Sequence, residues 1–135
     1  MNEYVTFQLG GRHFATRIEL VREVVRLSEL VTLPGMRPPL AGVLDLRGVS
    51  LPVVDVRPER GPGDVLVLHG DEGAYGFVCD SVSAVVGAET LAREEMRSRS
   101  SMPDYVEEVL RGDAGPVFLV DVRVMAGRVE LPLPA

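Results

Sequence analysis

The stretch G-V-L-D-L-R-G-V-S-L-P-V-V-D-V-R, residues 42–57, decides how this chain folds. Two apolar runs flank Gly48-Val49-Ser50, and the spacing predicts a β-hairpin with strands over 43–47 and 51–57. Side chains alternate across a strand, so Val43, Asp45 and Arg47 fall on one face and Leu44 and Leu46 on the other. A related pattern returns as V-L-R-G-D-A-G-P-V-F-L-V-D-V-R, residues 109–123. Each copy holds V-L, then R-G, then a proline five residues after the arginine, and closes on V-D-V-R; the second carries two more residues between proline and aspartate. The echo predicts two half-domains of similar construction. Chance is the competing explanation, because hairpins draw on few residue types.

Working outward, residues 4–9 alternate with Val5, Phe7 and Leu9 on one face, Gly10-Gly11 turns the chain, and 13–18 reads as a second strand. Residues 19–27 fit either a helix face (Leu20, Val21, Val24, Val25) or a short turn leading into a strand. Pro34-Gly35 and Pro38-Pro39 mark a loop, and 57–64 is a tight polar connection. Residues 65–69 are a buried strand, 70–73 a hairpin turn, 74–80 its partner, and 82–87 another short strand. The Arg- and Ser-rich segment 93–103 reads as a solvated loop. Residues 104–111 suit either one helical turn capped by Asp104 or a short strand, and 116–122 is a strand. Many short strands at close spacing predict an all-β barrel or sandwich. One domain spans 1–127, followed by an extended tail over 128–135.

With 135 residues, 46% of them apolar, the chain is long enough for a buried core. Sparse aromatics and abundant valine suit a β-rich protein. No apolar run is long enough to span a membrane, and the N-terminus alternates like a strand rather than a signal peptide. The single Cys79 suits a reducing compartment, so a cytoplasmic location is expected. A net charge of −6 argues against sequence-independent nucleic-acid binding.

Chemistry is sparse. His13, His69 and Cys79 lack the spacing of metal ligands, so no metal or cofactor is expected. Neither a nucleophile elbow nor a phosphate-cradling loop occurs. Asp45, Asp55, Asp80 and Asp121 sit at strand ends, where turn-forming aspartates belong. A small hydrolase built on Cys79 and a histidine remains the enzymatic alternative; its mark is an accessible, low-pKa thiol. The balance favours a binding module over a catalyst.

The 42–57 hairpin resembles the signature of CheW, the bacterial chemotaxis coupling protein family. Further pieces resemble that family in order: F-Q-L-G-G-R-H-F-A-T-R-I-E-L-V-R-E-V-V at 7–25, L-P-G-M-R-P-P-L-A-G-V at 33–43, G-F-V-C-D-S-V-S-A-V-V at 76–86, and a closing hairpin with a short helix over 105–126. The resemblance implies two small SH3-like five-stranded β-barrels packed on a shared core, with one or two short helices. It implies a non-enzymatic, cytoplasmic adaptor recruited to chemoreceptor arrays. Its partners would be the helical signalling tip of chemoreceptors, the regulatory domain of a CheA-type histidine kinase, and other CheW-like domains in rings. It implies binding roles for Arg47 and Glu23, with Val24, Val43, Val82 and Val86 as apolar groove contacts. Asp45 stands where the family usually has Asn, and is expected to hold Arg47. The 57–64 connection is shorter than is usual in the family, which raises an alternative: a paralogue that binds receptors and couples weakly or not at all to the kinase.

Overall fold

The computed structural model describes residues 3–94 and 101–130. The strands are β1 (Glu3–Leu9), β2 (Arg12–Arg17), β3 (Val21–Arg26), β4 (Leu40–Leu46), β5 (Val49–Val54), β6 (Asp64–Leu68), β7 (Tyr75–Cys79), β8 (Ser81–Gly87), β9 (Ala92–Glu94), β10 (Val106–Gly112) and β11 (Gly115–Val120), followed by helix α1 (Val122–Glu130). The ambiguous stretch 19–27 is a single 3₁₀ turn, Ile18–Leu20, leading into β3. Its exposure alternates with period two: Arg22, Val24 and Arg26 point outward while Val21 and Val25 pack inward. Residues 104–111 lie mostly in β10, not in a helical turn, because β9 and β11 pair with both of its edges. The strand expected over 116–122 stops at Val120. Val122, Met125 and Ala126 are all buried, the i, i+3, i+4 spacing of one helix face, so the chain turns helical there. The helix runs on to Glu130, inside the stretch expected as an extended tail; the remaining residues of that tail lie outside the described ones. So does most of the 93–103 loop, whose first residues are in β9.

Two sheets form, a six-stranded one in the order β8-β1-β2-β11-β10-β9 and a five-stranded one in the order β3-β6-β7-β5-β4. Their registers repeat. Val5 pairs with Thr16 on one side and Val85 on the other, as Leu66 pairs with Phe77 and Val24. A bulge between Val21 and Glu23 in β3 answers one between Val82 and Ala84 in β8, and a bulge after Leu40 answers one after Val106. In each sheet the second hairpin joins through a parallel pair, β5 on β7 and β11 on β2. The halves are therefore alike, and they are interlaced. The first half leaves β1 and β2 in one sheet and sends β3, β4 and β5 to the other; the second half does the reverse with β6, β7 and β8–β11.

This register corrects the sequence alignment of the two echoes. Val43-Leu44 matches Val109-Leu110 and Val54 to Arg57 matches Val120 to Arg123 with no gap. Arg47-Gly48 forms the turn of its hairpin, whereas Arg111-Gly112 lies within β10 and Asp113-Ala114 forms the turn. The two R-G dipeptides are not equivalent.

Each sheet curls closed. In the six-stranded sheet, the continuous run β8, the 3₁₀ turn Ala88–Thr90 and β9 carries the chain from β1 to β10. In the five-stranded sheet, Val31 N–H donates to Val43 O (2.9 Å) and Val43 N–H to Val31 O (2.8 Å), linking the run beyond β3 to β4. That approach requires Gly42, since a Cβ there would lie 2.9 Å from both Leu30 Cβ and Val31 O.

The V-L-V-L of β6 shows how the core is divided. Val65 and Val67 face the interior of the five-stranded barrel with Leu44, Leu51 and Val53. Leu66 and Leu68 face the other way, into a core shared with Phe7, Phe14, Val54, Phe77, Val120 and Met125. A third cluster, Tyr4, Ala15, Leu110, Val117 and Leu119, fills the six-stranded barrel. A strand with a core on each face has no polar side, which is why β6 reads as continuously apolar.

Candidate functional site

The hairpin of β4 and β5 ends in the two-residue turn Arg47-Gly48, with φ of 51° and 85°. Positive φ at both positions is a type I′ turn, whose twist matches that of the flanking strands. Glycine adopts it freely; an arginine there costs about 1–2 kcal/mol. Among the described residues Arg47 is the one non-glycine with positive φ. Asp45 stabilises the turn, its Oδ1 accepting from Gly48 N–H at 2.8 Å. The expected Asp45–Arg47 pair does not form: Asp45 is committed to the turn backbone, and the Arg47 side chain reaches across the barrel instead.

There Arg47 Nη2 donates to both carboxylate oxygens of Glu23 on β3, at 3.1 and 2.8 Å. Arg22 Nε lies 3.7 Å from the same carboxylate. The hydrogen bond from Arg47, reinforced by the charges of Arg47 and Arg22, lowers the Glu23 pKa despite some desolvation. β3 and β4 are opposite edges of the five-stranded sheet, so the pair bridges the seam of that barrel. Only Nη2 is used, and the Arg47 side chain stays 64% exposed. It lines an open hollow of about 490 Å³ with Arg22, Val49, Pro52, Glu72 and Ala74.

Five of the seven residues expected to bind partners, Glu23, Val24, Val43, Asp45 and Arg47, lie on this barrel. Val24 is exposed beside Glu23, and Val43 is half-buried where it pairs with Val31. Val82 and Val86 lie on β8 in the other sheet; Val82 packs on the shared core and Val86 on the core of the six-stranded barrel. The exposed valine of that strand is Val85, the register equivalent of Val24. Val31, Leu33 and Val49 are exposed apolar side chains that the sequence reading missed. Val31 and Leu33 precede the prolines of the 34–39 loop and Val49 lies between the two apolar runs of the hairpin, where no periodicity reports exposure.

Cys79 is fully buried and its thiol donates to Asp64 O at 3.6 Å. Burial, with the nearby charges of Asp64 and Asp80, pushes its pKa up to about 12. The accessible, acidic thiol of the enzymatic alternative is not what the fold builds. Among the described residues no three His, Cys, Asp or Glu side chains gather as a metal-ligand set, and no helix is long and apolar enough to cross a membrane.

Against known proteins, the family model described as CheW-like domain matches residues 3–130. The chain is 32% identical over 90 residues to the chemotaxis protein CheW of Bacillus subtilis, a match covering 61% of this chain and 58% of that protein. It is 27% identical to a probable chemotaxis protein CheW of Rhizobium etli over 91% of this chain and 81% of the other. Its fold is similar to that of the scaffolding protein TtCheW from Thermoanaerobacter tengcongensis, with a TM-score of 0.70 at 18% identity, covering 90% of this chain and 84% of that one. Two interlaced barrels on a shared core, the hairpin signature and a family match across nearly the whole length agree, and the chain belongs to the CheW-like domain family.

Proposed function

We propose that this protein is a non-enzymatic adaptor of chemosensory arrays. It binds the helical signalling tip of chemoreceptors and couples it to the regulatory domain of a CheA-type kinase. The observation that carries this reading is Arg47, held with positive φ at a hairpin tip and tied through one nitrogen to Glu23. A costly backbone conformation that leaves a guanidinium half free is expected where the residue serves a partner. Val24, Val31 and Val49 supply apolar surface on the same barrel, suited to the apolar face of a partner helix. Val43 and Asp45 shape this contact from β4; on β8 the exposed Val85 extends the binding surface to the second barrel, with Val82 and Val86 packed beneath it and setting its position.

The test is a titration against a receptor signalling-tip fragment and, separately, a kinase regulatory domain from the same genome. Arg47→Asn is the informative variant, because Asn-Gly is the preferred type I′ pair and keeps the turn. Loss of about tenfold or more in affinity, with the fold intact, supports the reading. Undiminished binding by Arg47→Asn removes Arg47 from the site, and binding to neither partner overturns the proposal. Binding to the receptor fragment alone makes the chain a modifier of arrays, with the short 57–64 connection as the missing kinase contact.

A further inference from the structure

The two halves end in the same device, D-V-R, and finish it differently. Arg57 and Arg123 each fold back on the aspartate two residues earlier. The backbone N–H donates to Asp Oδ1 at 3.0 Å in both; Nε donates to Oδ1 at 3.0 and 3.3 Å, and Nη2 to Oδ2 at 3.0 and 3.2 Å. Each aspartate N–H is anchored by the residue before the first strand of the hairpin, donating to Pro39 O and Tyr105 O. One edge of each guanidinium, Nε and Nη2, is thus fixed in place.

The other edge differs. Arg57 Nη2 donates to Gly61 O at 3.0 Å and Nη1 to Pro62 O at 2.8 Å, so the guanidinium grips two successive carbonyls of its own chain. Nη1 also reaches Asp80 Oδ1 at 3.4 Å, and the side chain is 6% exposed. The sequence after each motif explains the difference. P-E-R-G-P-G cannot continue a helix, so residues 58–63 curl back over Arg57. After Arg123 the chain is α1, which carries Met125 and Ala126 into the shared core and away from the guanidinium. Arg123 has no counterpart to the Gly61 and Pro62 carbonyls in the described residues that follow it, Tyr75 of the same hollow acts on its charge, and its side chain is 47% exposed. It lines a hollow of about 360 Å³ with His69, Asp71, Tyr75, Asp121 and Val124.

We propose that the hollow at Arg123 is a docking site for a neutral peptide turn of a partner protein. Two successive backbone carbonyls of that turn would take the Nη1–Nη2 edge as Gly61 O and Pro62 O take that of Arg57. A guanidinium already oriented by a carboxylate loses little freedom on gaining further acceptors. Asp71 and Asp121 at the same hollow disfavour an anionic occupant, and backbone carbonyls carry no net charge. This site is separate from the Arg47–Glu23 contact and does not depend on it.

The full chain supplies its own probe, the acetylated and amidated hexapeptide P-E-R-G-P-G, which copies residues 58–63. In ¹⁵N–¹H spectra of the whole protein, the expected result is a saturable shift of Arg123 Nε–H and of the Gly70 and Asp71 amides, with Arg57 Nε–H unmoved. Arg123→Lys, which cannot span two carbonyls in a fixed fork, should weaken the peptide about tenfold or more. Val124→Trp, which fills the hollow and leaves the Asp121–Arg123 pair alone, should abolish the shift. No movement of Arg123 Nε–H up to the solubility limit of the peptide overturns the proposal. So does undiminished binding by both variants, and so does acetate moving the same signals as readily as the peptide, which would make the hollow a general anion site.

Discussion

Arg57 and Arg123 occupy equivalent places and make the same aspartate contacts, yet they differ in burial, and that decides what each contributes to stability. Arg57 and Asp55 have side chains only 6% and 2% exposed. Removing one member of such a pair leaves an uncompensated buried charge, at a cost of roughly 3–5 kcal/mol. Arg57→Ala should therefore lower the urea midpoint sharply, whereas Arg123→Ala, at a solvent-screened pair, should cost about 1 kcal/mol or less. Equal losses would show that the curled 58–63 segment adds nothing. At Asp121 burial pushes the carboxyl pKa up, but the hydrogen bonds and charge of Arg123 outweigh it and hold the pKa below the ordinary carboxylate value. A depressed folded-state pKa stabilises above the unfolded value, about 4, and the benefit disappears as pH falls through the folded one. The stability gap between wild type and Arg123→Gln should thus be full at neutral pH and close below about pH 4. A gap constant down to pH 2 would remove Asp121 from the account.

Among the elements, the Arg47-Gly48 turn is where stability and binding oppose each other. The Arg47–Glu23 pair is exposed and contributes little to folding, while the left-handed arginine costs about 1–2 kcal/mol. Arg47→Asn should leave the thermal midpoint unchanged or raise it by a few degrees. A fall of many degrees would mean that the bridge across the barrel seam is structural, and would weaken the functional reading of Arg47. The shared core makes the contrasting case. Phe77 on β7 is fully buried in it, and Phe77→Ala should cost about 3–5 kcal/mol and lower the midpoints of both barrels together.

For the whole molecule the interlacing matters most. Neither half holds a complete sheet: without the second half, β1 and β2 lack β8 and β11, and without the first, β6 and β7 lack β3 and β5. A two-stranded hairpin is marginal in water. Fragments cut within 58–60 should therefore be largely unstructured alone and regain β-sheet circular dichroism when mixed in equal amounts. Independent folding of either fragment would contradict the exchange of strands between the halves.

The sequence by itself determined most of the strands, the hairpins and the resemblance to the family. Alternation and turn chemistry act over a few residues, so 42–57 declared its hairpin, and the G-D-E-G turn at 70–73 declared the next. The same locality limited what was legible. Residues 19–27 were ambiguous because the ladder that makes them a strand comes from β6, some forty positions on in the chain. The R-G echo misled, since identical dipeptides stand at a turn in one copy and inside a strand in the other. Asp45 and Arg47 share one face of a regular strand, but positive φ at Arg47 turns that side chain to Glu23. Only the tertiary structure decided which strands cross between the sheets, and which D-V-R arginine is capped by its own chain. The first outcome depends on ladders distant in sequence, and the second on whether the segment after the motif curls back over its own arginine, as 58–63 does, or is drawn into the shared core as α1.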